Sequence, residues 1–304
     1  METITALPAE RKERKLKVGA IECTLADLLF PVERIDNPNP TNTEYSKIVV
    51  GKIADKEVHL NYCSGVYQLV PNKTIFPEIE KVLDDNGIQY EKKYSHINFV
   101  KFYVEYKITD PRFVYRMKGT NDTINPLLRI NHSYNGLVKY KIIFGYFRFI
   151  CSNGIVIAVQ EMKDFNLVII GKHTLSILNS FTELDKMLKN FSANAGIIVS
   201  SITAKYELLG SRRVTNVEDR ITEVLKANKI AIVENNNFDT LNFIADKVTS
   251  EANNPTLGYN GSVNDWLIYN GINQYLYSNR NIVTPDLRME KDSKIFEYML
   301  KYAA

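Results

Sequence analysis

Hydrophobic and polar positions repeat with a period of two through the first half of the chain and with a helical period through the second, and the change falls near residue 172. The clearest alternation is "FVKFYVEYKI" (99–108). Val100, Phe102, Val104, Tyr106 and Ile108 fall on one side, and Lys101, Tyr103, Glu105 and Lys107 on the other. Successive strand side chains leave opposite faces, so this segment predicts a half-buried strand with a polar outer face. "SKIVVGKI" and "KEVHLNY", on either side of "ADK", predict an earlier hairpin. One helix interrupts the strands in "TIFPEIEKVLDDNG", where Phe76, Ile79, Val82 and Leu83 form a stripe and Gly87 can take the left-handed conformation that ends a helix.

Further along, "LLRINHSYNGLVKYKIIFGYFRFICSNGIVIAVQ" carries two Asn-Gly pairs, each flanked by strand-forming residues. Asn-Gly best tolerates the two positive φ angles of a type I′ hairpin turn. The segment therefore predicts an antiparallel meander over residues 127–161, turning at Asn135-Gly136 and Asn153-Gly154. After residue 172, Ile177, Phe181, Leu184, Leu188 and Phe191 share one helical face. Asn216 can cap "NVEDRITEVLKA". Ser262 with Asp265 makes a capping-box-like start to "SVNDWLIYNGINQYLYS", whose stripe is Trp266, Tyr269, Ile272 and Leu276. Shorter helices are expected at "FDTLNFIADKVTSEA" and "DSKIFEYMLKY". The fold class is α+β, an N-terminal antiparallel β-rich half with one helix followed by a helical C-terminal half. Length suggests more than one core: a basic N-terminal segment over 1–40, an antiparallel β-rich domain over 41–172 and a helical domain over 173–304.

Composition narrows the class. Of 304 residues, 45% are hydrophobic and 24% charged, the balance of a globular protein. Neither a signal-peptide pattern nor a membrane-length apolar run is present, so the expected location is the cytoplasm. Three cysteines, Cys23, Cys63 and Cys151, are too few and too widely spaced for a disulfide framework or a zinc knuckle. The four histidines show no metal spacing, and no cofactor motif is present: "VIIGKHT" lacks the Gly and the Ser or Thr that a phosphate loop requires. Cys151, just before the second Asn-Gly pair, has no adjacent base to activate it and reads as a packed small apolar residue, not a nucleophile.

Charge is distributed unevenly. The net value is +3, yet residues 99–148 hold nine Lys or Arg against Glu105, Asp110 and Asp122, and residues 11–17 hold five against one. What remains of the chain is therefore acidic, at −7. Such asymmetry points to a polyanionic partner. Lys139 and Lys141 share a strand face, and Tyr103 lies between Lys101 and Lys107 on another. Cations contact phosphates and an exposed aromatic stacks on a base without sequence preference. The expected nucleic-acid contacts are Lys101, Tyr103, Lys107, Arg129, Lys139 and Lys141.

"NYCSGVYQLVPNKTIFPEIEKVL", "LLRINHSYNG" followed by "YFRFICSNGIVIA", and "SVNDWLIYNGINQYL" together resemble the phage and plasmid-like protein family catalogued as domain of unknown function 932. The resemblance covers roughly residues 60 to 290. It implies an origin on a phage, plasmid or related mobile element and supplies no catalytic residue. The function expected from residues and resemblance is non-enzymatic binding of single-stranded nucleic acid, as a single-strand DNA binding or annealing factor. The alternative is a phage structural or protein-interaction protein, a virion component or an accessory factor against host defence. The expected partners are single-stranded nucleic acid and, beside it, a second copy of the chain or a phage protein, with no membrane.

Overall fold

The computed structural model describes residues 20–40, 45–148, 168–171, 175–235, 238–278 and 285–301. In chain order the strands are β1 (Ile21–Cys23), β2 (Val32–Asp36), β3 (Lys47–Ile53), β4 (Lys56–Cys63), β5 (Tyr90–Ile97), β6 (Lys101–Ile108), β7 (Tyr115–Arg116), β8 (Thr123–Ser133), β9 (Tyr140–Arg148), β10 (Val168–Gly171), β11 (Glu234–Asn235) and β12 (Phe238–Asp239). The helices are α1 (Leu25–Leu28), α2 (Asn72–Asp85), α3 (Asn179–Ala193), α4 (Ala195–Gly210), α5 (Val217–Ala227), α6 (Thr240–Ala252), α7 (Asp265–Ser278) and α8 (Pro285–Lys301). The α+β division, strands with one long helix and then helices, is the one the periodicity predicts.

Seven strands form an antiparallel sheet in the order β1-β5-β6-β8-β9-β10, with β7 pairing onto β8. A second antiparallel sheet is β2-β3-β4. Residues 21–36, within the segment set apart as a basic N-terminal segment, thus contribute a strand to each sheet. Helix α2 bridges them. Ile75, Phe76, Ile79 and Leu83 are fully buried along it, and its end closes with two reversed bonds, Ile88 N–H to the Leu83 carbonyl (3.1 Å) and Gly87 N–H to that of Asp84 (2.9 Å). Gly87 sits at φ +62°, so both bonds form without a Cβ penalty.

The expected meander is present as far as β8 and β9, which pair from Ile124↔Arg148 to Asn131↔Lys141. The turn between them differs from the expected one. It spans residues 134–139, and only Gly136 has positive φ. Asn135 Oδ1 accepts the Leu137 N–H (3.1 Å), while Ser133 Oγ bonds both N–H and C=O of Val138. Side chains thus close a six-residue loop that a two-residue turn was expected to close. Paired positive φ angles occur instead at Ala54-Asp55 and Asn98-Phe99, which join β3 to β4 and β5 to β6. The second predicted turn, Asn153-Gly154, and Cys151 lie outside the described residues.

The inner sheet face packs on α2 and α3. Phe144 meets Phe191 at 4.3 Å between ring centroids, and Phe113 meets it at 4.8 Å. Helix α7 is the centre of the helical part. It touches α4, α5, α6 and α8, and Trp266, Leu267, Ile268, Tyr269 and Ile272 are all fully buried. Its cap is Asn264, whose Oδ1 accepts the Leu267 N–H (3.0 Å); Ser262, expected in that role, instead accepts a bond from Arg213 (3.3 Å). The cap moves because Asn264 stands directly before the first helical residue, whereas Ser262 is two residues farther out. Buried Asp122, at the start of β8, accepts from Trp266 Nε1 (3.0 Å) and Tyr259 Oη (2.7 Å), tying sheet to helices. One hydrophobic cluster extends through both parts, from Leu28 to Met299.

Candidate nucleic-acid interface

Strand register places the expected contact residues on one face of the large sheet. Lys101 lies opposite Ser133, Tyr103 opposite Asn131, Glu105 opposite Arg129 and Lys107 opposite Leu127. Across the next ladder Lys141 lies opposite Asn131 and Ile143 opposite Arg129. Lys139 immediately precedes β9 and shares the parity of Lys141. Alternation therefore groups all six on the intended side.

Burial divides the group. Tyr103 is only 2% exposed, and Leu127, Arg129, Asn131 and Ile143 around it are equally enclosed. The expectation of an exposed stacking ring at Tyr103 is corrected: strand alternation assigns a residue to a face, but the centre of this outer face is covered. Arg129 is also removed from the expected phosphate contacts. Its Nε and Nη2 donate to Glu105 Oε1 at 2.9 and 2.5 Å, inside the sheet. A buried guanidinium that loses its carboxylate is left uncompensated, so this pair serves the sheet.

The lysines lie elsewhere. Lys139 is exposed and Lys101, Lys107 and Lys141 are half-buried. Lys101, Lys139 and Lys141 gather at the end of the sheet where the 134–139 loop and the Asn98-Phe99 turn meet. None of these three is in an ion pair among the described residues. Arg112, by contrast, is held by Asp110 through three contacts of 2.5–3.0 Å, which keeps the Asp110 carboxyl below its ordinary range. The acids of residues 99–148 are thus committed to the arginines or, for Asp122, buried. The surface excess of that segment rests mainly on lysine.

Beside this end lies a feature that the periodicity did not disclose. A cavity of about 540 Å³ opens on the small sheet, lined by Asn37, Pro38, Asn39, Tyr45, Ile48, His59, Asn61 and Tyr62. Tyr45 and Tyr62 are 43% and 53% exposed. His59 and Tyr62 are three residues apart, a spacing that in a regular strand puts them on opposite faces. The ladder steps from Val49↔Asn61 to Val50↔His59, skipping Leu60. Since Ile48 pairs with Tyr62 and Val50 with His59, this bulge brings both rings to one face, where they meet edge-on at 6.3 Å.

Several other titratable groups are enclosed or hydrogen-bonded within the fold. Cys23 is pushed up to about 11 and Cys63 upward, chiefly by burial, which leaves both as poor thiolates at neutral pH. Asp265 takes a forked pair of bonds from Arg220, both 2.9 Å, and Asp292 accepts from Tyr269 and Asn273, both 2.6 Å. No group of three or more His, Cys, Asp or Glu side chains among the described residues could hold a metal ion. No helix of the described residues is long and apolar enough to cross a membrane.

A protein-family model for a domain of unknown function, DUF932, matches residues 59–291. The chain belongs to this family. No curated protein and no solved structure matches it. The DUF932 region begins at His59 in β4 and takes in β5 to β12, α2 to α7 and the start of α8. It therefore contains the three lysines and the His59–Tyr62 pair, while Asn37 and Tyr45, which also line the cavity, precede it.

Proposed function

We propose that this DUF932 protein is a non-enzymatic nucleic-acid-binding protein of a phage or plasmid, acting in the cytoplasm of the host on single-stranded DNA. The observation that carries the reading is the trio Lys101, Lys139 and Lys141, gathered at one sheet end with no carboxylate paired to them among the described residues. Unpaired surface ammonium groups exchange counterions for phosphates, and a single strand needs no groove geometry to be held. The acidic remainder of the chain favours approach from this side. Lys107, on the same face, extends the track; Tyr103 and Arg129 support it from within. Annealing of complementary strands is the activity consistent with such sequence-independent contacts.

Fluorescence anisotropy with a labelled oligonucleotide across a salt series tests this. Log affinity should fall linearly with log salt, and Lys139→Ala/Lys141→Ala should flatten the slope by about 1.4, at about 0.7 per single-strand phosphate contact. Absence of binding by the wild type at low salt would transfer the function to protein-protein interaction.

A further inference from the structure

We infer that the cavity on the small sheet is a nucleobase-binding subsite, supplying the stacking surface that Tyr103 does not. The inference rests on the single-strand reading above and deepens it. Its first support is the chemistry of the lining. Of the eight described residues that line the cavity, three carry aromatic rings and three carry amides, and none of these eight is Lys, Arg, Asp or Glu. Such a lining suits a flat, uncharged group with a hydrogen-bonding edge. The volume falls within the roughly 300–1,000 Å³ of small-ligand sites.

The second support is exposure. Large aromatic side chains are ordinarily enclosed on at least one face, yet Tyr45 and Tyr62 stand about half open in a lining that also holds buried Ile48. His59, set edge-on to Tyr62 by the bulge, closes one wall. Asn39 is exposed, so its amide is available to donate and accept at a base edge. Asn37 is spoken for: its Nδ2 donates to the Tyr45 carbonyl (2.8 Å) and its Oδ1 accepts from the Asn39 N–H (3.1 Å), which fixes the wall that carries both residues.

The third support is the connection to the lysines. Asn61 Nδ2 (3.1 Å) and Tyr67 Oη (2.9 Å) both donate to the carbonyl of Tyr134. Tyr134 opens the loop that leads to Lys139, and its own N–H bonds the carbonyl of Val100, next to Lys101. The cavity wall and the phosphate-contacting end are thus anchored to one residue. A strand whose phosphates follow the lysines can turn a base toward Tyr62.

The test compares a labelled oligothymidylate with an abasic oligomer of equal length, which keeps the phosphates and removes the bases. Wild type should bind the thymidylate about tenfold to a hundredfold more tightly, Tyr62→Ala should lose that preference, and Tyr62→Phe should keep it, since the ring alone stacks. Tyr62 is largely outside the core, so its truncation leaves the fold standing. Salt slopes should be equal for all three proteins, which separates this subsite from the lysines. Photocrosslinking of a 5-iodouracil oligomer should fall on peptides containing Tyr45 or Tyr62. Equal wild-type binding of both oligomers, or a preference retained by Tyr62→Ala, overturns the subsite and leaves the lysine reading intact. Failure to bind either oligomer overturns both.

Discussion

His96 shows how one enclosed side chain sets a response to pH. Its Nδ1 accepts the Phe99 N–H at 3.1 Å and its ring stacks on that of Phe99 at 3.9 Å, which fixes the Asn98-Phe99 turn beside the lysine trio. Burial lowers its pKa from the usual 6.5, with Asp27 opposing in the other direction. With the folded value depressed, the unfolded chain binds the proton more readily. Stability is therefore complete above about pH 6.5 and declines as pH falls from there toward the folded value. Urea unfolding at pH 7.5 and 5.5 should show a lower midpoint at the acid end, and His96→Gln should reduce that difference. Arg129 and Tyr103 make the matching point for expected contacts. Register puts both on the face that Lys101 and Lys107 share, yet the sequence carries no sign that the centre of that face is enclosed.

At the scale of elements, periodicity read well wherever an element is buried on one side. The stripe on α2 and that on α3 are legible because water on the opposite face keeps the polar positions polar. Helix α4 was missed. Its sequence, AGIIVSSITAKYELLG, is apolar and β-branched around most of its circumference, so it offers neither a stripe nor an alternation. The bulge at Leu60 was missed for a related reason, since pairing with β3, not composition, creates it. Close packing between helices makes a sharper prediction. A Cβ at Gly271 in α7 would lie 2.7 Å from Val248 Cγ2 and 3.2 Å from Ile244 Cγ2, both in α6. Gly271→Ala should therefore destabilise by about 1–3 kcal/mol through overpacking. Gly87→Ala meets open space and should lose only the backbone term, about 1–2 kcal/mol. Denaturant midpoints of the two variants check the pair.

Across the whole molecule, the change in period near residue 172 divides the secondary structure but not the core. The hydrophobic cluster is continuous from Leu28 to Met299, and the Asp122–Trp266–Tyr259 contacts join residues more than a hundred positions apart. Such continuity should produce a single cooperative transition. The chain has one tryptophan, Trp266, fully buried in α7. Its fluorescence reports the helical part, while far-ultraviolet circular dichroism reports both. The two denaturation curves should coincide; separate midpoints would show independently folding halves.

The skipped residue in β4 also bears on how this protein should be compared with others. Leu60 changes the parity of the strand, so the shared face of His59 and Tyr62 depends on the count between them as much as on their identity. Loss of one residue there, with both rings retained, would return the ladder to regular pairing and turn one ring into the core. A homologue could then keep every aromatic and lose the cavity, or change both rings for others and preserve it. In this segment, length polymorphism is a better guide to inherited function than identity.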